Sequence, residues 1–234
     1  FVFRLAARAS LADRIVKAGE YSFEPGVSVR GVLKKITGGD VVQRSITIPE
    51  GLTYQQVRQV LLDEEGLRGP PLEFEEGALL PETYDYRWND KRTDIMRRMA
   101  RAMTETVNIA WENRVEGLPF ESPRDLLTIA SIIEKETRVP AEYPMVASVY
   151  INRLNRGMRL QSDPTVIYGA SNYNGDITYA HLKEDHPYNT YVHKGLPPSP
   201  IANPGRGAIM AAAAPADTDY LFMVADGFGG DYAA

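Results

Sequence analysis

A chain of 234 residues with 44% hydrophobic and 24% charged residues has the balance of an ordinary folded protein, sized for one large or two unequal domains. Its net charge of −5 argues against nucleic acid as the main partner, and the basic cluster Arg97, Arg98 and Arg101 reads as a solvated helix face. The absence of cysteine rules out a disulfide, a thiolate nucleophile and a zinc–thiolate site; His181, His186 and His193 lack the spacing of a helical metal pair, so neither metal nor other cofactor is expected.

The chain begins at Phe1, its first methionine is Met96, and no apolar run approaches the roughly 18 residues of a membrane span. This suggests a piece cut from a longer precursor, with a signal or anchor removed. An internal repeat then opens the molecule. Pro25-Gly26-Val27-Ser28 with Val32 and Ile36 is echoed by Glu50-Gly51-Leu52-Thr53 with Val57 and Leu61. Each copy follows a short β-type segment, residues 20–23 and 45–48, and runs through a glycine turn into a Ser or Thr cap and an apolar helix face. Thr53 with Gln56 has capping-box spacing, and Gly38-Gly39 should end the first helix. Two β-turn-α units of this kind form a small module over residues 16–66, either packing scaffold or glycan binder.

Residues 66–88, rich in Pro, Gly and Glu, read as a connection. Helical periodicity returns over 90–113, where Met96, Met99 and Met103 form a stripe that suits core filling. The next helix has Ser122 as cap, Pro123 at its first position and Asp125 completing a capping box; it runs over 126–138 and stops before Pro140. Another follows over 141–155 and ends at Gly157. Beyond it the chain is turn-rich until Asn203-Pro204 opens an alanine-rich helix, and a strand-like run over 220–225 ends at Asp226-Gly227.

One carboxylate stands out on the helix that Ser122 opens. On a wheel at about 100° per residue, Leu126, Ile129, Ile132 and Ile133 form an apolar arc; Glu136 falls about 30° from its centre and Glu134 about 130° away. A buried carboxyl is held in its neutral form, which a general acid needs near neutral pH. The alternative is that Glu136 lies at a frayed helix end and reaches solvent. The loop Arg159-Leu160-Gln161-Ser162-Asp163-Pro164-Thr165, with Tyr168 and Tyr188-Asn189-Thr190-Tyr191, mixes rings, amides and hydroxyls as a sugar groove requires. Asp163-Pro164 equally fits the cap of a short helix, and Tyr168 equally fits core.

Ser131-Ile132-Ile133-Glu134-Lys135-Glu136-Thr137, Val149-Tyr150-Ile151-Asn152-Arg153-Leu154, the run from Gly157 to Gly169, Tyr188-Asn189-Thr190-Tyr191 and Gly195-Leu196-Pro197-Pro198-Ser199-Pro200-Ile201 together resemble the YceG-like endolytic murein transglycosylases. The match covers residues 120–230, ending on the stretch from Tyr220 to Gly230, while the N-terminal module resembles the family's LysM-like subdomain more weakly. The resemblance implies an α+β protein with a LysM-like module over 1–66 and a connection plus mainly helical, lysozyme-like catalytic domain over 67–234. It implies Glu136 as catalytic residue, Glu136-Thr137 being similar to the Glu-Ser pair of other lytic transglycosylases. Gln161, Ser162, Asp163, Thr165, Tyr168, Tyr188, Asn189, Thr190 and Tyr191 become the expected substrate groove. Peptidoglycan glycan strands are the implied partner, cell-wall synthesis machinery a further one, and an N-terminal single-pass anchor in the cytoplasmic membrane the implied location, with the catalytic domain outside. Two rival readings stand beside it: a lysozyme-type hydrolase using Asp163 as second carboxylate, and a non-catalytic glycan-binding scaffold.

Overall fold

The computed structural model describes residues 16–223 and the backbone of residues 224–225 and 231–233; residues 1–15, 226–230 and 234, which include the expected end of the last strand run, lie outside the described residues. The fold is α+β, with seven α-helices and three two-stranded sheets among the described residues.

Both repeat helices form where their caps predict. Helix α1 (Val29–Gly38) opens with the Ser28 hydroxyl accepting from the Gly31 N–H and closes at Gly39, whose φ of 75° glycine adopts without steric penalty. Helix α2 (Tyr54–Asp63) carries the complete Thr53/Gln56 capping box. The strands depart from expectation. Residues 20–23 form no strand; they are tied by a Val42 N–H to Glu20 carbonyl bond and by Arg44 to the Glu20 carboxylate, each at 2.8 Å. Strand β1 (Gln43–Thr47) pairs antiparallel with β3 (Thr83–Arg87), in a register running from Gln43↔Arg87 to Thr47↔Thr83. The second expected β-turn-α unit therefore forms and the first keeps only its capped helix, and β1 finds its partner beyond residue 66 instead of inside the module. The short β2 (Leu67–Arg68) runs parallel to β4 (Asp90–Lys91).

Two cores share one helix. Ile46, Ile48, Val57, Leu61 and Leu79 pack against Ile95, Met96 and Met99 in the first half of α3 (Arg92–Glu112). The second half of α3, with Met103, Val107 and Ala110, joins the second core. There it meets α4 (Pro123–Glu136), α5 (Tyr143–Asn155) and α7 (Arg206–Ala213), through Ile129, Ile132, Ile133, Val146 and Ile209. The methionine stripe is thus core, as its spacing predicts. Helix α4 shows the Ser122 cap, Pro123 in the first turn and the Asp125 capping box that the sequence announces. Alanines 208, 211, 212 and 213 are buried on α7, and such small side chains let neighbouring helices approach closely.

Asn203, fully buried, pins the two cores together. Its side-chain oxygen accepts from the Leu79 N–H at 2.9 Å, its amide donates to the Leu52 carbonyl at 2.9 Å, and its own carbonyl accepts from Gly51. Among the described residues no helix is long and apolar enough to cross a membrane.

Candidate active site

Helix α4 ends on Glu136 because Thr137 turns extended, with φ −128° and ψ 150°. The Thr137 hydroxyl donates to Glu142 at 2.6 Å and accepts from the Val139 N–H at 3.1 Å, so it braces the following turn. The hydroxyl on Glu136 comes instead from Ser162, whose Oγ donates to Glu136 Oε2 at 3.1 Å. Glu136 is half-buried and Ser162 has no exposed surface.

Ser162 is fixed from behind. Its N–H donates to Thr190 Oγ1 at 3.0 Å, its carbonyl accepts from Thr165 Oγ1 at 2.7 Å, and the two threonine hydroxyls bond each other at 2.8 Å. The preceding residue, Gln161, has φ 51°, one of two non-glycine residues in the left-handed region among those described. A side chain there is uncommon and mildly strained, and such strain collects where a neighbouring group must be aimed. Arg153, buried on α5, holds this loop by donating to the Leu160 carbonyl at 2.5 Å and to the Leu221 carbonyl at 2.6 Å. Its guanidinium also lies 5.2 Å from the centre of the Phe222 ring.

What reads in the sequence as turn-rich contains a helix, α6 (Asp163–Gly169), with Ser162 at its cap position and Pro164 in its first turn. Its two ends serve two clusters. At the first, Asp163 accepts from the Tyr191 hydroxyl at 2.7 Å. Burial raises the Tyr191 pKa first of all, and the charges of Asp163 and Glu136 add to it, which places this phenol within electrostatic reach of Glu136. At the other end, Tyr168 donates to Glu76 Oε2 at 3.2 Å and packs edge-on against Tyr188 at 4.8 Å, whose hydroxyl bonds Ser199 at 2.7 Å. Burial raises the Glu76 carboxyl above its ordinary value, although bonds from the Tyr54 N–H and Tyr168 oppose that shift.

Glu136, Ser162, Asp163, Thr165, Thr190 and Tyr191 therefore gather in one network, and Gln161 is exposed at its edge. Thr165 and Thr190 are buried in it. Asn189, also buried, donates to the carbonyls of His181 and Glu184 at 3.0 and 2.7 Å and braces the loop from inside. Tyr168 and Tyr188 belong to the Glu76 cluster. Glu134, which the wheel sets off the apolar face, is half-buried too, and accepts from the Tyr143 hydroxyl and the Gly205 N–H, each at 2.9 Å. Two contributors escape the sequence reading: Arg153 and Glu76. For Arg153 the available signal was a large polar side chain on the inward face of an otherwise apolar helix.

A cavity of about 430 Å³ lies elsewhere, between Phe74, Ala78, Met103, Val107 and the first turns of α4 at Pro123 and Leu127. Glu136 closes the other end of that 14-residue helix. At about 1.5 Å per residue the two are roughly 20 Å apart. Among the described residues no three His, Asp or Glu side chains cluster as metal ligands would.

The sequence model of the YceG-like family matches residues 1–233. The endolytic murein transglycosylase of Bacillus subtilis is 32% identical over 243 residues, covering 89% of this chain and 67% of that protein. That of Streptococcus pneumoniae R6 is 27% identical, covering 90% of this chain but only 47% of the longer relative. The crystal structure of a YceG-like protein from Listeria monocytogenes superposes with a TM-score of 0.69 at 29% identity, covering 100% of this chain and 86% of that one.

Proposed function

The chain belongs to the YceG-like family, and from that premise we propose that it is an endolytic lytic transglycosylase acting on peptidoglycan, with Glu136 as its acid and base. The observation that carries the reading is the half-buried carboxyl at the end of α4, met by the buried and rigidly held Ser162 hydroxyl. The curated relatives named endolytic murein transglycosylase support the substrate class.

A helix C-terminus presents carbonyl oxygens, so a neutral carboxyl is favoured there over a charged one. Protonated Glu136 gives its proton to the glycosidic oxygen between N-acetylmuramic acid and N-acetylglucosamine as the bond from that oxygen to muramic C1 breaks. The muramic C6 hydroxyl then closes on C1, and Glu136, now a carboxylate, takes the hydroxyl proton. A 1,6-anhydro end forms and the acid is restored, the acid-then-base logic of glycosidases with the nucleophile supplied by the substrate. In this reading the strand lies over the bonded pair of Asp163 and Tyr191, and the exposed Gln161 offers its amide to the sugar. Murein lies outside the cytoplasmic membrane, so we place the reaction there, on a protein held by an N-terminal anchor.

Mass spectrometry of glycan strands digested with the purified protein tests this reading. Anhydromuramic ends are expected. Reducing ends throughout would identify a lysozyme-type hydrolase with Asp163 as second carboxylate, and binding without any cleavage would leave a glycan-binding scaffold.

A further inference from the structure

Behind the Glu136 carboxyl lies a hydroxyl that the reaction above does not use. Tyr150 sits on the inner face of α5, 1% exposed, and its phenol oxygen is sealed from solvent without a hydrogen bond of ordinary geometry. Buried hydroxyls are nearly always satisfied, so one without a well-formed bond points to a polar group close at hand whose bond to it tightens during the reaction. Its surroundings name that partner. Glu136 and Ser162 both lie within hydrogen-bonding reach of the phenol, Glu136 is the main charge acting on it, and the Arg153 cation opposes that charge. Ser162 itself is bonded to Glu136 Oε2 at 3.1 Å, so the phenol and both its polar neighbours meet at one point of the core.

We propose that Tyr150 is a positioning residue for the catalytic carboxyl, its O–H bonding Glu136 most strongly once that group has given up its proton and holding the carboxylate toward the C6 hydroxyl. This rests on Glu136 being the acid and base. A charged carboxylate accepts more and stronger hydrogen bonds than a protonated one, so a donor already beside it that bonds the charged form more strongly stabilises the state formed during bond cleavage over the resting one. The phenol keeps its proton throughout, because burial and the Glu136 charge both raise its pKa well above the ordinary tyrosine value. The other charged or titratable groups facing this point are Arg153 from α5, Tyr191 from its loop, and Asp163 of α6 through its bond to Tyr191. All remain in place when the Tyr150 hydroxyl alone is removed.

Tyr150→Phe, assayed on glycan strands across pH beside its melting temperature, is the test. A donor to the anion lowers the Glu136 pKa, so its loss lets the acid keep its proton to higher pH. The alkaline limb of kcat/KM should move up by about half a unit, with kcat roughly tenfold lower and KM unchanged. The melting temperature should not fall, since phenylalanine fills the same space and removes a buried hydroxyl that lacks a bond of ordinary geometry. A fluorinated tyrosine at position 150, a stronger donor, should move the limb the opposite way. An unshifted limb in both proteins would overturn the proposal, as would a kcat loss matched only by a lower melting temperature, the result of mere packing. Glu136→Gln run alongside separates the two levels. If it is inactive while Tyr150→Phe behaves as wild type, only the positioning role falls; if it cleaves normally, the assignment beneath falls as well.

Discussion

Glu134 and Glu136 lie on the same last turn of α4 and meet different chemistry. Glu134 bridges the Tyr143 hydroxyl and the Gly205 N–H, whereas Glu136 meets the Ser162 hydroxyl beside Tyr150. Glu136→Gln should abolish strand cleavage with the fold intact, because the amide keeps the shape and has no proton to transfer. Glu134→Gln should retain most turnover. Its amide oxygen still serves Gly205 and its nitrogen donates to Tyr143, so chemical denaturation should show a loss of no more than about 1 kcal/mol. Equal inactivity of the two variants would remove the distinction between them. At this scale the sequence was partly legible. Periodicity reaches Glu136, but a wheel measures only the angle around one helix, and the partners that hold Glu134 come from α5 and from the turn before α7. The same limit hid the source of the hydroxyl on Glu136: Thr137 is its neighbour in sequence, and Ser162 is its neighbour in space.

Caps, prolines and apolar spacing located α1, α2, α3, α4 and α5 because those signals are local. Strand pairing is not local, which is why the partner of β1 and the unformed strand over 20–23 could not be read. Helix α6 was legible only as an alternative, the short helix that Asp163-Pro164 could open: seven residues are too few to show a period, and Ser162 and Pro164 signal a turn as readily as a helix start. The junction at Glu76 is likewise assembled from distant elements. Its carboxylate takes the first N–H of α2 from Tyr54 at 2.7 Å, the Asn203 amide at 3.4 Å and the α6 hydroxyl of Tyr168. Since burial raises the folded-state pKa of Glu76 above 4.5, the folded protein binds this proton more tightly than the unfolded chain, and its contribution to stability falls as pH rises from about 4.5 through the folded value. Glu76→Gln should therefore flatten the decline of melting temperature with rising pH in that window, while its amide oxygen keeps the Tyr54 and Asn203 bonds. Melting curves at several pH values check this; an undiminished slope would assign the dependence to another group, of which Glu50, also raised by burial and by its acidic neighbours, is the first to examine.

For the molecule as a whole, the α+β class and the helical character of the C-terminal half were legible, whereas the division near residue 66 describes the sequence better than the packing. Strands β1 and β3 pair across that position, and Val57 and Leu61 share a core with Met96 and Met99. The consequence is for anyone who would trim the protein to its chemistry. A fragment starting at residue 67 would present the outer half of α3 and the open edge of β3 to water, a bare apolar stripe beside an unpaired strand, which is the combination that drives misassembly. Expressed alone it should collect in the insoluble fraction, even though it holds every residue of the Glu136 network. Supplied in the same cell with the separate segment 1–66, it should dissolve and regain cleavage, because the two pieces rebuild a shared core. Soluble, active 67–234 without that complement would show that α3 and β3 hold without their partners.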